Sequence, residues 1–158
     1  MPARGALKPK LVKVAEMKTI FVNEKDADRR WYLIDAADKP VGRVAAKVAS
    51  LLRGKHKAAF APNQECGDYV VVVNAGKAAM TGAKPENKMY HHHTGFPGGL
   101  RSVNYQKLLQ RHPESPLLLA VKGMLPKGRL GRKLLSNVKI YAGAEHPHAA
   151  QNPVTMEI

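Results

Sequence analysis

The side chains that most readily suggest chemistry in this 158-residue chain are its histidines. His91, His92 and His93 are consecutive, and His146 and His148 lie near the C-terminus, so a metal site is one hypothesis. On a β-strand, however, alternate side chains point to opposite faces, so His92 would leave the face that His91 and His93 share. This run therefore does not supply three convergent ligands, and the sequence predicts no metal site.

Two other catalytic signatures fail on their residue types. A phosphate-binding loop needs Gly-Lys followed by Ser or Thr, because the hydroxyl ligates magnesium, but the Gly-Lys pairs here precede His56 and Ala78. No Gly-x-Ser-x-Gly nucleophile elbow occurs. Carboxylates are scarce from residue 39 to residue 139, and nothing selects a general acid and base among them. We predict no catalytic residue and no cofactor; the alternative is a nucleotide- or RNA-acting enzyme on a doubly wound sheet.

Charge distinguishes this chain more than any catalytic motif does. Lys and Arg number 26 against 12 Asp and Glu, which gives a formal net charge of +14. Residues 39–139 contain eighteen basic and four acidic side chains, whereas residues 1–38 carry +2 and residues 140–158 carry −2. The excess therefore belongs to the middle of the chain and not to a basic tail. It implies an acidic partner, for which nucleic acid is the first candidate.

The basic side chains cluster beside Gly or Pro, where free backbone N–H groups can approach a phosphate closely. Three such segments are Lys55–Lys57, Lys84–Lys88 and Lys127–Lys133. In the last of them, Gly128 and Gly131 are expected to let the cations follow a folded phosphate backbone instead of a straight helix axis. Aromatic residues make up only 6% of the chain, so we predict recognition of folded RNA by shape and backbone more than by base stacking. A general nucleic-acid binder is the weaker variant of this hypothesis.

The elements that must position these residues alternate between strands and helices. Apolar residues recur at helical spacing from Val41 to Leu52, and the valine run after Tyr69 is typical of a strand covered on both faces of a parallel sheet. We predict strands over 31–36, 69–75, 88–94 and 138–142. Further helices are predicted over 105–111 and 117–125, the latter capped by Ser115 with Pro116 at its first position.

These elements predict an α/β fold, a three-layer α/β/α domain with a mainly parallel four-stranded sheet. Residues 1–28 are interpreted as an N-terminal extension or arm, and residues 29–158 as a single RNA-binding domain with an irregular C-terminal tail. Cys66 is the only cysteine, which fits a reducing compartment. No apolar run reaches the ~18 residues that a membrane helix needs, and the N-terminus lacks a secretory apolar region, so we expect a soluble, cytoplasmic protein.

Six segments, spread in order from about Met17 to Pro153, resemble the signatures of the bacterial large-subunit ribosomal protein L-thirteen family. Met17-Lys18-Thr19 is similar to the family's usual start, so residues 1–16 are an addition. The matching segments are Gly42 to Ala45, Arg53 to Lys57, Gly67 to Ala75, Thr94 to Gly99, Ala120 to Pro126 and His146 to Gln151.

The resemblance implies a structural protein that binds 23S-type ribosomal RNA and neighbouring ribosomal proteins early in large-subunit assembly. We expect no membrane association, no homo-oligomer and no enzymatic activity. Together with the charge pattern it gives the predicted RNA-binding residues: Arg43, Lys47, Arg53, Lys55, His56, Lys57, Lys84, Lys88, His91, His93, Thr94, Gly95, Gly98, Gly99, Arg101, Lys122, Lys127, Arg129, Arg132 and Lys133.

Overall fold

A computed structural model of the protein describes residues 27–158, so most of the expected N-terminal arm lies outside the described residues. The described chain contains strands and α-helices in an order that alternates as predicted, with two 3-10 helices at 75–77 and 149–151. The elements are β1 (Trp31–Asp35), α1 (Val41–Arg53), β2 (Tyr69–Val73), α2 (Lys84–Asn87), β3 (Met89–His93), β4 (Leu100–Asn104), α3 (Tyr105–Arg111), α4 (Ser115–Met124), α5 (Arg129–Ser136), β5 (Val138–Ile140) and β6 (Val154–Thr155).

The main sheet has four parallel strands in the order β5-β2-β1-β6, which confirms the predicted α/β class. Strand β2 is central, and Val70, Val71 and Val72 are completely buried, as the valine run indicated. Residues on both faces of a central parallel strand must be apolar because helices or other chain cover each face. The run of β-branched side chains therefore specifies the middle of the sheet.

One face of the sheet packs against α1, α4 and α5. Val44, Val48 and Leu52 of α1 are fully buried and share one core cluster with Leu117 of α4 and Leu134 of α5. Full burial of an aliphatic side chain of this size contributes about 1.5–3 kcal/mol. Helix α1 ends at Arg53 and is capped by Gly54, which has a left-handed backbone φ of 75°; a Cβ at this position would lie 2.7 Å from the Cys66 carbonyl oxygen.

The opposite face is covered by the C-terminal part of the chain, in agreement with a three-layer arrangement. Trp31 stacks on Tyr69 with a centroid separation of 4.7 Å, and the His148 ring lies 5.2 Å from the Trp31 ring. The Tyr141 hydroxyl and His148 Nε2 are hydrogen-bonded at 2.9 Å. The segment expected to be an irregular tail thus contains a 3-10 helix and β6, whose Val154 pairs with Tyr32 of β1.

The predicted strand over 88–94 exists as β3, but its expected place in the main sheet is wrong. It pairs in antiparallel register with β4, a strand that local pattern did not predict, and the two form a separate two-stranded sheet. The fourth strand of the main sheet is β6 instead. The reason is burial: β3 has the sequence MYHHH and is exposed along almost its whole length, so it could not occupy the interior of a covered sheet.

Two helix boundaries also differ from the predictions. Ser115 is the first residue of α4 and not its cap, because Glu114 occupies the N-cap position without a capping hydrogen bond from its side chain. The segment from Lys127 to Lys133 was expected to avoid a helix axis, yet α5 begins at Arg129. Gly131 does not break this helix; a Cβ there would lie 1.7 Å from the Pro126 carbonyl oxygen, so the glycine allows α5 to pack closely against the connection that follows α4.

Candidate nucleic-acid interface

In the basic segment after α1, some cations contact a buried carboxylate and others are exposed. The carboxylate of Asp68 is completely buried just before β2, and it accepts a hydrogen bond from the Arg30 amide at 2.9 Å. Lys57 Nζ lies 2.6 Å from Asp68 Oδ1, and His56 Nε2 lies 2.7 Å from Asp68 Oδ2. Lys57 also donates to the backbone carbonyl of Asp28. Two of the predicted RNA-binding side chains therefore contact a buried carboxylate.

A second buried carboxylate, Glu65, is held in the same way. Arg29 lies 3.3 Å from its Oε1, Lys133 Nζ of α5 lies 3.0 Å from its Oε2, and the Asn137 amide donates to Oε1. Lys133, another predicted RNA-binding residue, thereby links α5 to the loop that precedes β2. Buried carboxylates require such partners, since an unpaired buried charge costs several kcal/mol.

This internal pairing changes the charge that the surface presents. Of the four carboxylates between residues 39 and 139, Glu65 and Asp68 are buried and paired, which leaves only Glu86 and Glu114 exposed. Lys55 is exposed beside the paired residues, and the Arg53 guanidinium lies 5.5 Å from the centroid of the Phe60 ring. Among the exposed charged side chains of residues 39–139, basic ones thus predominate, although some cations of this range contact the buried carboxylates.

A groove of about 920 Å³ lies between the β3–β4 hairpin, the start of α1 and α4; we call it the hairpin groove. Its floor is apolar, formed by side chains such as Val103, Leu108 and Leu119. Five predicted RNA-binding residues line it: Lys84, Lys88, His91, Arg101 and Lys122. These residues come from four different elements or their ends, so only the tertiary fold brings them together.

A second groove of about 540 Å³ lies between the end of α4 and α5; we call it the α4–α5 groove. It is lined by the predicted residues Lys122, Lys127 and Arg132 over an apolar floor that includes Leu125 and Leu135. Lys122 and Leu119 line both grooves, so the exposed face of α4 joins them. The two grooves form one continuous basic surface with an apolar floor.

Other predicted residues lie outside these two grooves. Arg43 and Lys47 are exposed one turn apart on α1 and line neither groove. Arg129 is exposed at the first turn of α5 and also lines neither. The same holds for the loop between β3 and β4, which contains the predicted residues Thr94, Gly95, Gly98 and Gly99. The structure therefore does not gather all of the predicted residues on the groove walls.

The histidine run lies on β3, where the adjacent residues His91 and His92 both line the hairpin groove. His91 pairs with Ser102 and His92 with Arg101, and His91 Nδ1 is 2.7 Å from the Ser102 hydroxyl. His93 Nδ1 accepts a hydrogen bond of 3.0 Å from the Gly95 amide in the loop that follows. Among residues 27–158, no group of three His, Cys, Asp or Glu side chains has an arrangement that could hold a metal ion.

The hairpin is anchored at its base by two tyrosines. The Tyr105 amide donates to the Lys88 carbonyl oxygen at 3.0 Å, and the Tyr105 side chain is only 4% exposed. Burial raises the pKa of both the Tyr90 and the Tyr105 hydroxyls above the usual value, and for Tyr90 the neighbouring Tyr105 adds to the effect.

Three features of this surface were not predicted from the sequence. His92 lines the hairpin groove although only its neighbours were predicted to bind RNA. Phe96 is 74% exposed in the loop between β3 and β4; the resemblance implied that the loop around Thr94 to Gly99 faces RNA, but the ring itself was not among the predicted RNA-binding residues. The signal for Phe96 was present, because a lone aromatic between Gly95 and Pro97 has no apolar periodicity that would bury it. The contacts of the Asp68 carboxylate with His56 and Lys57 carried no such local signal.

Comparisons with known proteins bear on most of the chain. The family described as Ribosomal protein L13 matches residues 29–147. A Treponema denticola protein named "Large ribosomal subunit protein uL13" is 63% identical over 142 residues, which cover 90% of this chain and 100% of that protein.

Two further relatives carry the same name. The Treponema pallidum protein is 65% identical over 140 residues, covering 89% of this chain and 99% of its own length. The Vibrio cholerae protein is 54% identical over 142 residues, covering 90% of this chain and 100% of its own length. Within the described residues, no helix combines the length and the apolar character required to cross a membrane.

Proposed function

This chain belongs to the Ribosomal protein L13 family, and we propose that it is a structural constituent of the large ribosomal subunit that binds folded ribosomal RNA through its two basic grooves. The proposed RNA is of the 23S type, the proposed partners include neighbouring ribosomal proteins, and the proposed time of action is early subunit assembly. The proposed location is the large subunit, which lies in the cytoplasm of bacteria.

The observation that carries the RNA-binding proposal is the continuity of the two grooves. Cations from β4, α4 and the α4–α5 connection, represented by Arg101, Lys122 and Lys127, line one concave surface. Backbone phosphates are the ligands that such a surface binds best, because each cation releases counterions from the RNA when it binds. The apolar floors between the cations suit ribose and base edges, which an RNA exposes across its shallow minor groove.

The enzyme alternative is not retained. The family consists of structural ribosomal proteins and not of enzymes. The buried carboxylates Glu65 and Asp68 are each engaged by cations and serve packing, so they are not positioned as a general acid and base facing a substrate. A general nucleic-acid binder differs from the proposal only in specificity, which binding measurements can resolve.

The proposal is tested by reversing two groove charges. Arg101→Glu with Lys122→Glu removes two cations from the shared surface, whereas Lys77→Glu with Lys139→Glu changes the net charge equally at exposed positions that line neither groove. Binding to purified Vibrio cholerae large-subunit ribosomal RNA is measured at several salt concentrations. The groove variant should bind more weakly, and its slope of log K against log salt should fall by roughly 0.7–0.9 for each phosphate that is no longer neutralised.

The control variant should keep most of the wild-type slope, and both variants should show the wild-type unfolding temperature. Equal weakening in the two variants would mean that net charge alone acts, and the groove assignment would be abandoned. If the wild-type protein binds ribosomal RNA and an unrelated duplex RNA with equal affinity at physiological salt, the protein would instead be a general nucleic-acid binder.

A further inference from the structure

Phe96 is the most exposed large apolar side chain in the described part of the protein. Its side chain is 74% accessible at the tip of the β3–β4 hairpin, whereas the other two aromatic residues of this hairpin region, Tyr90 and Tyr105, are half-buried and buried. Exposing an aromatic ring to water forgoes the stabilisation that its burial would give. A ring in this position is available to a partner that would cover it.

The loop that presents Phe96 has a fixed conformation. The Gly99 amide donates to the Phe96 carbonyl oxygen at 2.9 Å, and the Thr94 amide donates to the Gly99 carbonyl oxygen at 3.0 Å. Pro97 and Gly98 occupy the second and third positions of this turn, and the φ of 71° at Gly98 is the left-handed value that a type II turn needs there.

The glycine at the end of the turn has no room for a side chain. A Cβ on Gly99 would lie 2.1 Å from the Thr94 hydroxyl oxygen and 2.8 Å from the Phe96 carbonyl oxygen. The chain is thus held on both sides of the ring by hydrogen bonds, a proline and close packing. Such preorganisation reduces the conformational entropy that binding would otherwise cost.

The charges around the ring indicate what kind of partner covers it. From residue 88 to residue 113 the chain contains four Lys or Arg and four His but no Asp or Glu. Lys88, at the base of the same hairpin, and Arg101, near its tip, both line the hairpin groove. A flat apolar ring beside these cations matches a polyanion with flat apolar faces, which describes a nucleic acid with an unpaired base.

We propose that Phe96 stacks on an unpaired base of the RNA whose backbone occupies the hairpin groove. This inference rests on the proposed RNA-binding function and adds a recognition site to it. Backbone contacts position a protein on RNA but carry no sequence information, whereas an unpaired base occurs only in loops, bulges and ends. Phe96 thereby selects a local RNA shape that the groove cations alone would not distinguish.

Three variants test the stacking. Phe96→Leu keeps an apolar side chain but removes the aromatic face, Phe96→Trp enlarges that face, and Val154→Thr is a control at another exposed apolar position, 56% accessible, in β6. Binding to the same Vibrio cholerae ribosomal RNA should weaken by about fivefold for Phe96→Leu, the lower end of the range for complete loss of a stacking ring because leucine keeps part of the apolar contact, and by less than about twofold for the other two. The slope of log K against log salt should stay at its wild-type value in all three, because every variant keeps the full set of cations.

The outcomes separate this inference from the proposed function. Wild-type affinity in Phe96→Leu, together with a normal salt slope, would overturn the stacking and leave the RNA-binding proposal intact. Absence of any salt-dependent binding in the wild-type protein would overturn both. Because Phe96 is exposed, unfolding temperatures should be equal in all variants, and a lowered temperature in Phe96→Leu would instead assign the ring a role in the fold.

A photocrosslink supplies an independent measurement. Phe96 replaced by p-benzoylphenylalanine, irradiated in complex with the same RNA, should crosslink to one nucleotide that reverse transcription locates in a loop, bulge or end. A crosslink within a continuous duplex, or crosslinking to protein alone in intact large subunits, would refute base stacking.

Discussion

Lys55 and Lys57 are two residues apart in the same basic segment, and the structure predicts opposite consequences for their loss. Lys57 Nζ lies 2.6 Å from the fully buried Asp68 carboxylate, and the Lys57 side chain is 21% exposed. Lys55 is exposed and is not among the cations that contact Asp68 or Glu65 within residues 27–158. Replacement of each lysine by methionine keeps most of the aliphatic stem and removes the charge.

The magnitude follows from what remains around Asp68. Removing one partner of a buried ion pair typically costs about 3–5 kcal/mol, because the other charge stays buried. His56 still lies 2.7 Å from the carboxylate and the Arg30 amide still donates to it, so the lower end of the range applies to Lys57→Met. We expect a loss of about 3 kcal/mol in the free energy of unfolding, or a decrease of about 6–12 °C in unfolding temperature. Lys55→Met should change the free energy of unfolding by no more than about 0.5 kcal/mol.

Urea unfolding followed by tryptophan fluorescence measures this difference directly. Trp31 is the only tryptophan and stacks on Tyr69, the residue next to Asp68, so its emission reports on the affected region. The two variants should differ in the opposite sense in RNA binding. Lys55→Met should lower the slope of log K against log salt, whereas Lys57→Met should keep the wild-type slope at temperatures where the variant is folded. Equal unfolding midpoints for the two variants would refute the assignment of Lys57 to the fold.

The remaining predictions concern helix packing and acid stability. Gly131→Ala should lower the free energy of unfolding by about 1–3 kcal/mol, because the added Cβ would meet the Pro126 carbonyl. Gly123→Ala has open space around it in α4 and should raise the free energy of unfolding by about 0.5–1 kcal/mol. The same urea titration measures both. A hydrogen bond from Asn74 holds the pKa of Asp35 below its usual 3.8, and the stability that this carboxylate contributes is present above that value and lost as pH falls through the lowered pKa. Asn74→Gly removes the amide while tolerating the left-handed φ of 56°, so a carbon-detected NMR titration should show the Asp35 pKa rising; an unchanged pKa would assign the shift to the Ala37 amide instead.

Local pattern was sufficient for the elements whose signal lies in consecutive residues. The helical spacing from Val41 to Leu52 predicted α1, and the valine run predicted β2, because a helix and a covered strand each impose their own apolar period. The same reasoning failed for β6, since Val154 and Thr155 are too short a stretch to show any period. It also placed β3 in the wrong sheet, because strand propensity does not specify the pairing partner.

The sequence by itself determined that the protein is an α/β domain with a basic middle and no catalytic motif. Only the tertiary structure decided which of the cations are engaged inside the fold and which line an open groove. Asp68 follows Lys57 by eleven residues, and Glu65 precedes Lys133 by far more, so no local pattern reveals that these pairs meet. The grooves have the same origin: Arg101 and Lys122 belong to different elements and share a wall because a packed core fixes the distance between those elements.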